Sequence, residues 1–185
     1  MQLDEKLEWL LGIKKVTSPN YDERPAGTEI ELLVVHGISL PPGKFGGPYI
    51  DQLFTNSLCI EDHPYFSEID DQQISAHVLI NRQGELTQYV PFNKRAWHAG
   101  ESEFQGQQRC NDFSLGVELE GCDDLAYTEE QYQSLAKLTR LLRRHWPAIS
   151  KDHIVGHCQI APGRKTDPGP AFDWTYFHSL LDEVK

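Results

Sequence analysis

Between Gly156 and Pro170 the chain reads GHCQIAPGRKTDPGP, which sets His157, Cys158, Arg164, Lys165 and Asp167 on one turn-rich stretch. The stretch is too irregular for a helix and too polar for a core strand, so it predicts a rigid loop that delivers side chains to one point. Two more polar residues stand at comparable places: His36 closes the apolar run LLVVH, and Glu118 lies within FSLGVELEG. Two histidines at neighbouring strand ends, with one carboxylate from an adjoining loop, make a three-ligand zinc site that leaves a fourth position for water. His36 and His157 are the candidate histidines, and Asp167 is a candidate carboxylate on a loop held by Pro162, Gly163, Pro168 and Gly169.

The bland alternatives are concrete. Most histidines bind nothing, so His63, His77, His98, His145, His153 and His178 are read as ordinary core or surface residues. Cys158 follows His157 and, on a strand, would point to the opposite face, so it is not counted as a ligand. Lys165 and Asp167, two apart on one loop, could form a solvated ion pair of little worth. PGRKT lacks the glycine and lysine spacing of a phosphate-binding loop, which sets nucleotide binding aside.

These residues need a scaffold. IELLVVH (30–36) is an almost continuous apolar run and reads as a buried central strand. ISAHVLIN (74–81) and GELTQYV (84–90) flank Arg82-Gln83-Gly84 and read as a hairpin. In 113–121, Leu115, Val117 and Leu119 fall on one face, and Ser114, Gly116, Glu118 and Glu120 on the other. Residues 153–157 read as a short strand. YTEEQYQSLAKLTRLLRRHWP reads as a helix, with Thr128 and Gln131 as a capping box and Pro147 as its stop. Its stripe of Tyr132, Leu135, Leu138, Leu142 and Trp146 reads as core. Further helices are expected over 4–11 and 172–184, and a Gly/Pro-rich loop over 39–50. The fold class predicted is α+β, one domain over 1–185, with a central mixed sheet flanked by helices.

The bulk numbers narrow the partners. The net charge is −11 with 24% charged residues, which argues against nucleic-acid or membrane-surface binding, since phosphate contacts need clustered Lys and Arg. The N-terminal MQLDEKLEWLLGIKK carries acids where an export signal carries cations, and no apolar run reaches the roughly 18 residues of a membrane span. A cytoplasmic protein is expected, with its four cysteines as free thiols.

Taken in order, LLVVHGISLPPGKFGGPYI, HPYF, ISAHVLI, RAWHAG, CNDFSLGVELEG and GHCQIAPGRKTDPGPAFDW resemble the AmpD-type 1,6-anhydro-N-acetylmuramyl-L-alanine amidases. These belong to the zinc amidase family related to peptidoglycan-recognition proteins. The resemblance runs from about SPNYDERP to FDW. It implies a zinc enzyme that cuts the amide between the lactyl group of muramic acid and L-alanine in recycled cell-wall fragments. It further implies His36, His157 and Asp167 as zinc ligands, Glu118 as general base and Lys165 as the cation that stabilises the transition state. Arg109 and Trp97 are the substrate-binding candidates, Arg109 for stem-peptide carboxylates and Trp97 for the sugar ring. The partner expected is a small muropeptide, and the expected state is a monomer. Two positions depart from the pattern: Gly37 stands where the family has Asn, and Gln73 where it has Arg. Gly37 removes an amide that could bond substrate, and Gln73 alters a second contact.

Overall fold

The computed structural model describes residues 1–182. In chain order the strands are β1 (Lys14–Lys15), β2 (Tyr21–Glu23), β3 (Leu32–Ile38), β4 (Val78–Ile80), β5 (Leu86–Gln88), β6 (Lys94–Ala96), β7 (Glu103–Phe104), β8 (Gln107–Gln108), β9 (Ser114–Glu120) and β10 (Ile154–Gly156). The helices are α1 (Tyr49–Phe54), α2 (Glu129–His145), α3 (His157–Ile160) and α4 (Trp174–Asp182). The main sheet has the order β1-β5-β4-β9-β3-β10. Strands β10, β3, β9 and β4 run parallel, and β5 returns antiparallel beside β4. This is the mixed sheet with flanking helices that the sequence predicts. Among the described residues no helix is long and apolar enough to cross a membrane, and all four cysteines are free.

The two central strands are buried on both faces, and their alternation sorts the residues. Leu33, Val35, Leu115, Val117 and Leu119 face a core completed by α2 and α4. Leu32 and Val34 face the opposite way, with Ala99, Cys110, Phe113 and Ile160. His36 and Glu118 follow Val34 and Gly116 by one period on this second face, and the β3–β9 register places them side by side. Helix α2 starts as predicted: the Thr128 hydroxyl accepts from the Gln131 N–H, and Gln131 Oε1 accepts from the Thr128 N–H. Gln131 also donates to the Glu120 carbonyl at 2.9 Å, so the cap ties the helix to β9.

Several expectations shift. His36 is not at a strand end, because β3 continues to Ile38. The strand expected over 153–157 stops at Gly156, and His157 opens the short helix α3, whose first turn is capped by Gln159 accepting from the Gly156 N–H. The loop of 156–170 therefore begins with a turn of helix. The helix expected over 4–11 is absent: Leu7 has a positive φ of 58° and the segment folds back in a Leu3–Leu10 bridge. The closing helix is described from Trp174, and the end of the expected 172–184 range lies outside the described residues.

His77 fits its ordinary reading. It is fully buried, accepts from the Gly116 N–H through Nδ1 and faces the Lys94 carbonyl through Nε2. Burial, then the nearby Arg24 cation, pushes its pKa down to about 3. A histidine depressed in the fold lends stability above its unfolded pKa of about 6.5, and that stability is lost as pH falls. We expect the zinc-free protein to lose up to about 2 kcal/mol between pH 7 and pH 5 from this residue. Urea melts at the two pH values check it; equal midpoints would contradict it.

Candidate metal centre and cleft

The second face of the sheet opens into a cleft of about 920 Å³ whose lining includes His36, Glu118, His157, Lys165, Asp167 and Trp97. Strand β3 supplies His36, strand β9 supplies Glu118, and the first residue of α3 supplies His157. Asp167 returns on the loop after α3, where its carbonyl accepts from the Cys158 N–H at 2.9 Å. The loop is thus pinned across its own base. Cys158 is not part of the donor group, though the reason is its place on a helix rather than strand alternation.

Three donor atoms converge. His36 Nδ1 and His157 Nδ1 lie 3.0 Å apart, and Asp167 Oδ2 lies 3.2 Å from the first and 3.1 Å from the second. Protons do not account for this arrangement. His157 Nε2 stands 3.1 Å from the Ala99 carbonyl, a pure acceptor, so Nε2 carries the hydrogen and a neutral ring presents a lone pair at Nδ1. Burial lowers the His36 pKa to about 4, so that ring is neutral near pH 7. Three atoms that can each act as an acceptor, His36 Nδ1, His157 Nδ1 and Asp167 Oδ2, thus face one another. A cation resolves the conflict. Tetrahedral zinc with bonds of about 2.0–2.1 Å separates its ligands by about 3.3 Å, close to the spacing seen. Two imidazoles and one carboxylate suit zinc chemically. Asp167 is ready as an anion: burial acts to raise its pKa, but the His157 and His36 contacts outweigh it and hold the carboxyl below the ordinary range.

Glu118 stands beside this trio without joining it. The residue is 8% exposed and Oε2 has no hydrogen-bond partner. Burial, then the Asp167 charge, pushes its pKa well up, while Lys165 pulls it down. A buried carboxylate that lines a cleft and keeps one oxygen free of hydrogen bonds is poised to take a proton. Lys165 is exposed at the rim and makes no ion pair with Asp167 among the described residues, so the solvated-pair reading of those two residues fails.

Trp97 is half-buried and lines the cleft, so it is not a core tryptophan. Arg109 is placed elsewhere. It is 71% exposed, pairs with Asp112 at 3.3 Å and borders a neighbouring hollow that meets the cleft at Arg164. Gly37 leaves no gap where its side chain would be, since the Tyr127 hydroxyl fills that space and donates to the Pro168 carbonyl at 2.9 Å. Gln73 lies on the cleft lining. Sequence reasoning missed His98, whose Nδ1 is 2.9 Å from His36 Nε2. Its only signal was membership of the RAWHAG block.

A mixed sheet carrying a His, His, Asp donor set, with a buried carboxylate and a lysine beside it, defines a zinc-dependent hydrolase. Residues 26–170 match the family model described as N-acetylmuramoyl-L-alanine amidase, and the chain belongs to that family. Among its relatives is the 1,6-anhydro-N-acetylmuramyl-L-alanine amidase AmpD of Escherichia coli strain K12, 59% identical over 95% of this chain and 95% of the relative. The AmpD of Citrobacter freundii is 58% identical over 98% of this chain and 95% of its own. A crystal structure of a selenomethionine AmpD derivative matches with a TM-score of 0.94 at 58% identity, covering 98% of this chain and 99% of that one. The E. coli amidase AmiD, solved with its substrate anhydro-N-acetylmuramic acid-L-Ala-D-γ-Glu-L-Lys, matches with a TM-score of 0.60 at 25% identity over 87% of this chain and 65% of that one.

Proposed function

We propose that this chain is a zinc-dependent amidase that hydrolyses the lactyl–L-alanine amide of 1,6-anhydro-N-acetylmuramyl peptides. The observation that carries the reading is the trio His36, His157 and Asp167, set beside the unpartnered oxygen of Glu118. The three residues would hold zinc, which when bound supplies positive charge to polarise a carbonyl and acidify water. The Glu118 carboxylate takes a proton from the attacking water as the water's oxygen bonds to the lactyl carbonyl carbon. It then passes that proton to the departing nitrogen of L-alanine as the C–N bond breaks. The water's second proton passes from the new carboxylic acid to the amine, so the products are a muramic carboxylate and a peptide ammonium, and atoms and protons balance.

Lys165 offers its ammonium to the oxyanion, where a preformed donor is worth most. Trp97 supplies an apolar wall for the sugar. Arg109, from its neighbouring hollow, would meet carboxylates on the peptide stem. Lys165→Ala is expected to lower kcat by about 10²-fold or more, in line with loss of one oxyanion donor. Steady-state kinetics with retained zinc content checks this; an unchanged kcat would remove Lys165 from the machinery.

The proposal includes a single catalytic domain over 1–185, a monomeric enzyme and action in the cytoplasm on released fragments rather than on intact wall. Mass spectrometry of zinc-loaded protein with an anhydro-muramyl tripeptide tests the reaction, with insoluble sacculi in parallel. Release of tripeptide and anhydro sugar from the soluble substrate is expected. Uptake of zinc with no cleavage of it would overturn the reading in favour of a binding groove, and preference for sacculi would overturn the choice of substrate. Sedimentation of the zinc-loaded protein tests the monomer.

A further inference from the structure

We propose that Asn111 and the backbone of Trp97, His98 and Ala99 form a bracket that fixes both zinc histidines in the ring orientation and tautomer the metal requires. The inference rests on the reading of His36 and His157 as ligands, and extends it to residues outside the donor trio.

One atom anchors the bracket. Asn111 Oδ1 accepts from the His98 N–H at 3.1 Å and from the Ala99 N–H at 2.8 Å. Two backbone donors aimed at one atom identify it as the amide oxygen. The Trp97 N–H is held separately, by the Ser75 hydroxyl at 3.0 Å. Three consecutive N–H groups are therefore tied by side chains rather than by a strand partner.

From this anchored segment two contacts go out, one to each candidate ligand. The His98 ring reaches His36 Nε2 at 2.9 Å. The Ala99 carbonyl reaches His157 Nε2 at 3.1 Å. That same carbonyl also accepts from Arg164 at 2.6 Å, so both of its lone pairs are used.

The proton order follows from the ligand chemistry. A metal on His36 Nδ1 requires the hydrogen on Nε2, so His98 Nδ1 must accept. His98 Nε2 then carries a hydrogen and donates to the Ser114 hydroxyl, 3.0 Å away. Strand β9 is shaped for this ring. A Cβ at Gly116 would stand 2.6 Å from His98 Nδ1, so glycine is what admits the imidazole. Partners on the far ring nitrogen of a ligating histidine typically change metal affinity by about 10–100-fold. His98 and Asn111 are positioning residues: they act through His36 and His157.

The test separates positioning from simple stability. Zinc affinity is measured by competition with a chromophoric chelator, beside thermal melts of the metal-free proteins, for the parent, Asn111→Leu, Asn111→Asp, His98→Phe and His98→Gln. Asn111→Leu removes the acceptor and Asn111→Asp keeps it; His98→Phe strands the His36 N–H and His98→Gln can still accept it. We expect about 10–100-fold weaker zinc binding for the Leu and Phe variants, with the Asp and Gln variants close to the parent. Parent-like affinity in folded Asn111→Leu and His98→Phe would overturn the proposal. A third readout needs no variant: long-range ¹⁵N spectra of the zinc-loaded parent should show His98 protonated at Nε2, and protonation at Nδ1 alone would overturn it. Failure of the zinc reading itself would look different, as a parent that takes up no zinc, and would overturn the bracket with it.

Discussion

Glu118→Gln is expected to cut hydrolysis by about 10²–10⁴-fold while zinc uptake stays at the parent level. The substitution keeps the shape of the side chain and removes only its ability to take a proton. Glu118 lies outside the donor trio, so the metal has no reason to leave. The same change should stabilise the metal-free fold. Burial first, and then Asp167, pushes the Glu118 pKa well above its ordinary value. A carboxyl raised in the fold contributes its stability below the unfolded pKa and loses it as pH rises. At pH 7 the parent therefore bears a penalty that glutamine lacks, expected at about 1 kcal/mol or more. Calorimetry of the two metal-free proteins from pH 4 to pH 8 should show the gap widening with pH. A variant that is both active and no more stable would refute the assignment.

The pH dependence of catalysis follows from the same group. Glu118 must be deprotonated to act, so the acid limb of kcat/KM belongs to it. Lys165 is the charge that lowers its pKa. In Lys165→Ala the limb should move to higher pH, beyond the loss in rate already described.

Removing the metal, or Asp167, is the second large effect. A chelator should abolish activity, and zinc should restore it. Asp167→Asn removes the one anionic donor and should weaken zinc by more than the roughly 10–100-fold that loss of an outer hydrogen-bond partner costs. Zinc should also stabilise the parent strongly, because metal-free folding brings three acceptors within 3.0–3.2 Å of one another. At a thousandfold excess over the dissociation constant the gain is about 4 kcal/mol, or roughly 10 °C for a chain of this size. Melting curves with and without zinc measure it. A parent whose melting temperature ignores zinc would sink the ligand assignment.

The scaffold was legible in the sequence where its pattern was local. The alternation of 114–120 and the stripe and cap of α2 are short-range signals, and both appear as read. His36 was found as a lone polar residue after an apolar run, but its place within β3 was hidden, because a strand buried on both faces shows no alternation. The α3 turn was missed for a related reason. Four residues are too few to display a helical period, and Gly156 with Gln159 was the only capping signal. The roles of His98 and Asn111 could not be read from any local pattern. Their roles come from contacts between residues 62 and 13 positions apart, joined by the parallel pairing of the sheet and by a loop. Hydrophobic periodicity carries no information about such contacts. Arg109 shows the opposite limit, since a guanidinium suited to carboxylates says nothing about which hollow it borders.

Strand β9 carries its polar duties on one face: Ser114 under His98, Gly116 making room for that ring, Glu118 in the cleft, and Glu120 accepting from the N–H groups of Gly46 and Arg82. Successive duties are two residues apart, about 6.6 Å along the strand. The strand therefore acts as a ruled edge, and a saturation scan of it should separate into two interleaved phenotypes. Substitutions at Leu115, Val117 and Leu119 should yield little soluble protein, whereas Glu118 should accept replacements that accumulate normally and do nothing. A one-residue deletion within the strand should have no suppressor at any single position, because it exchanges the two faces at once.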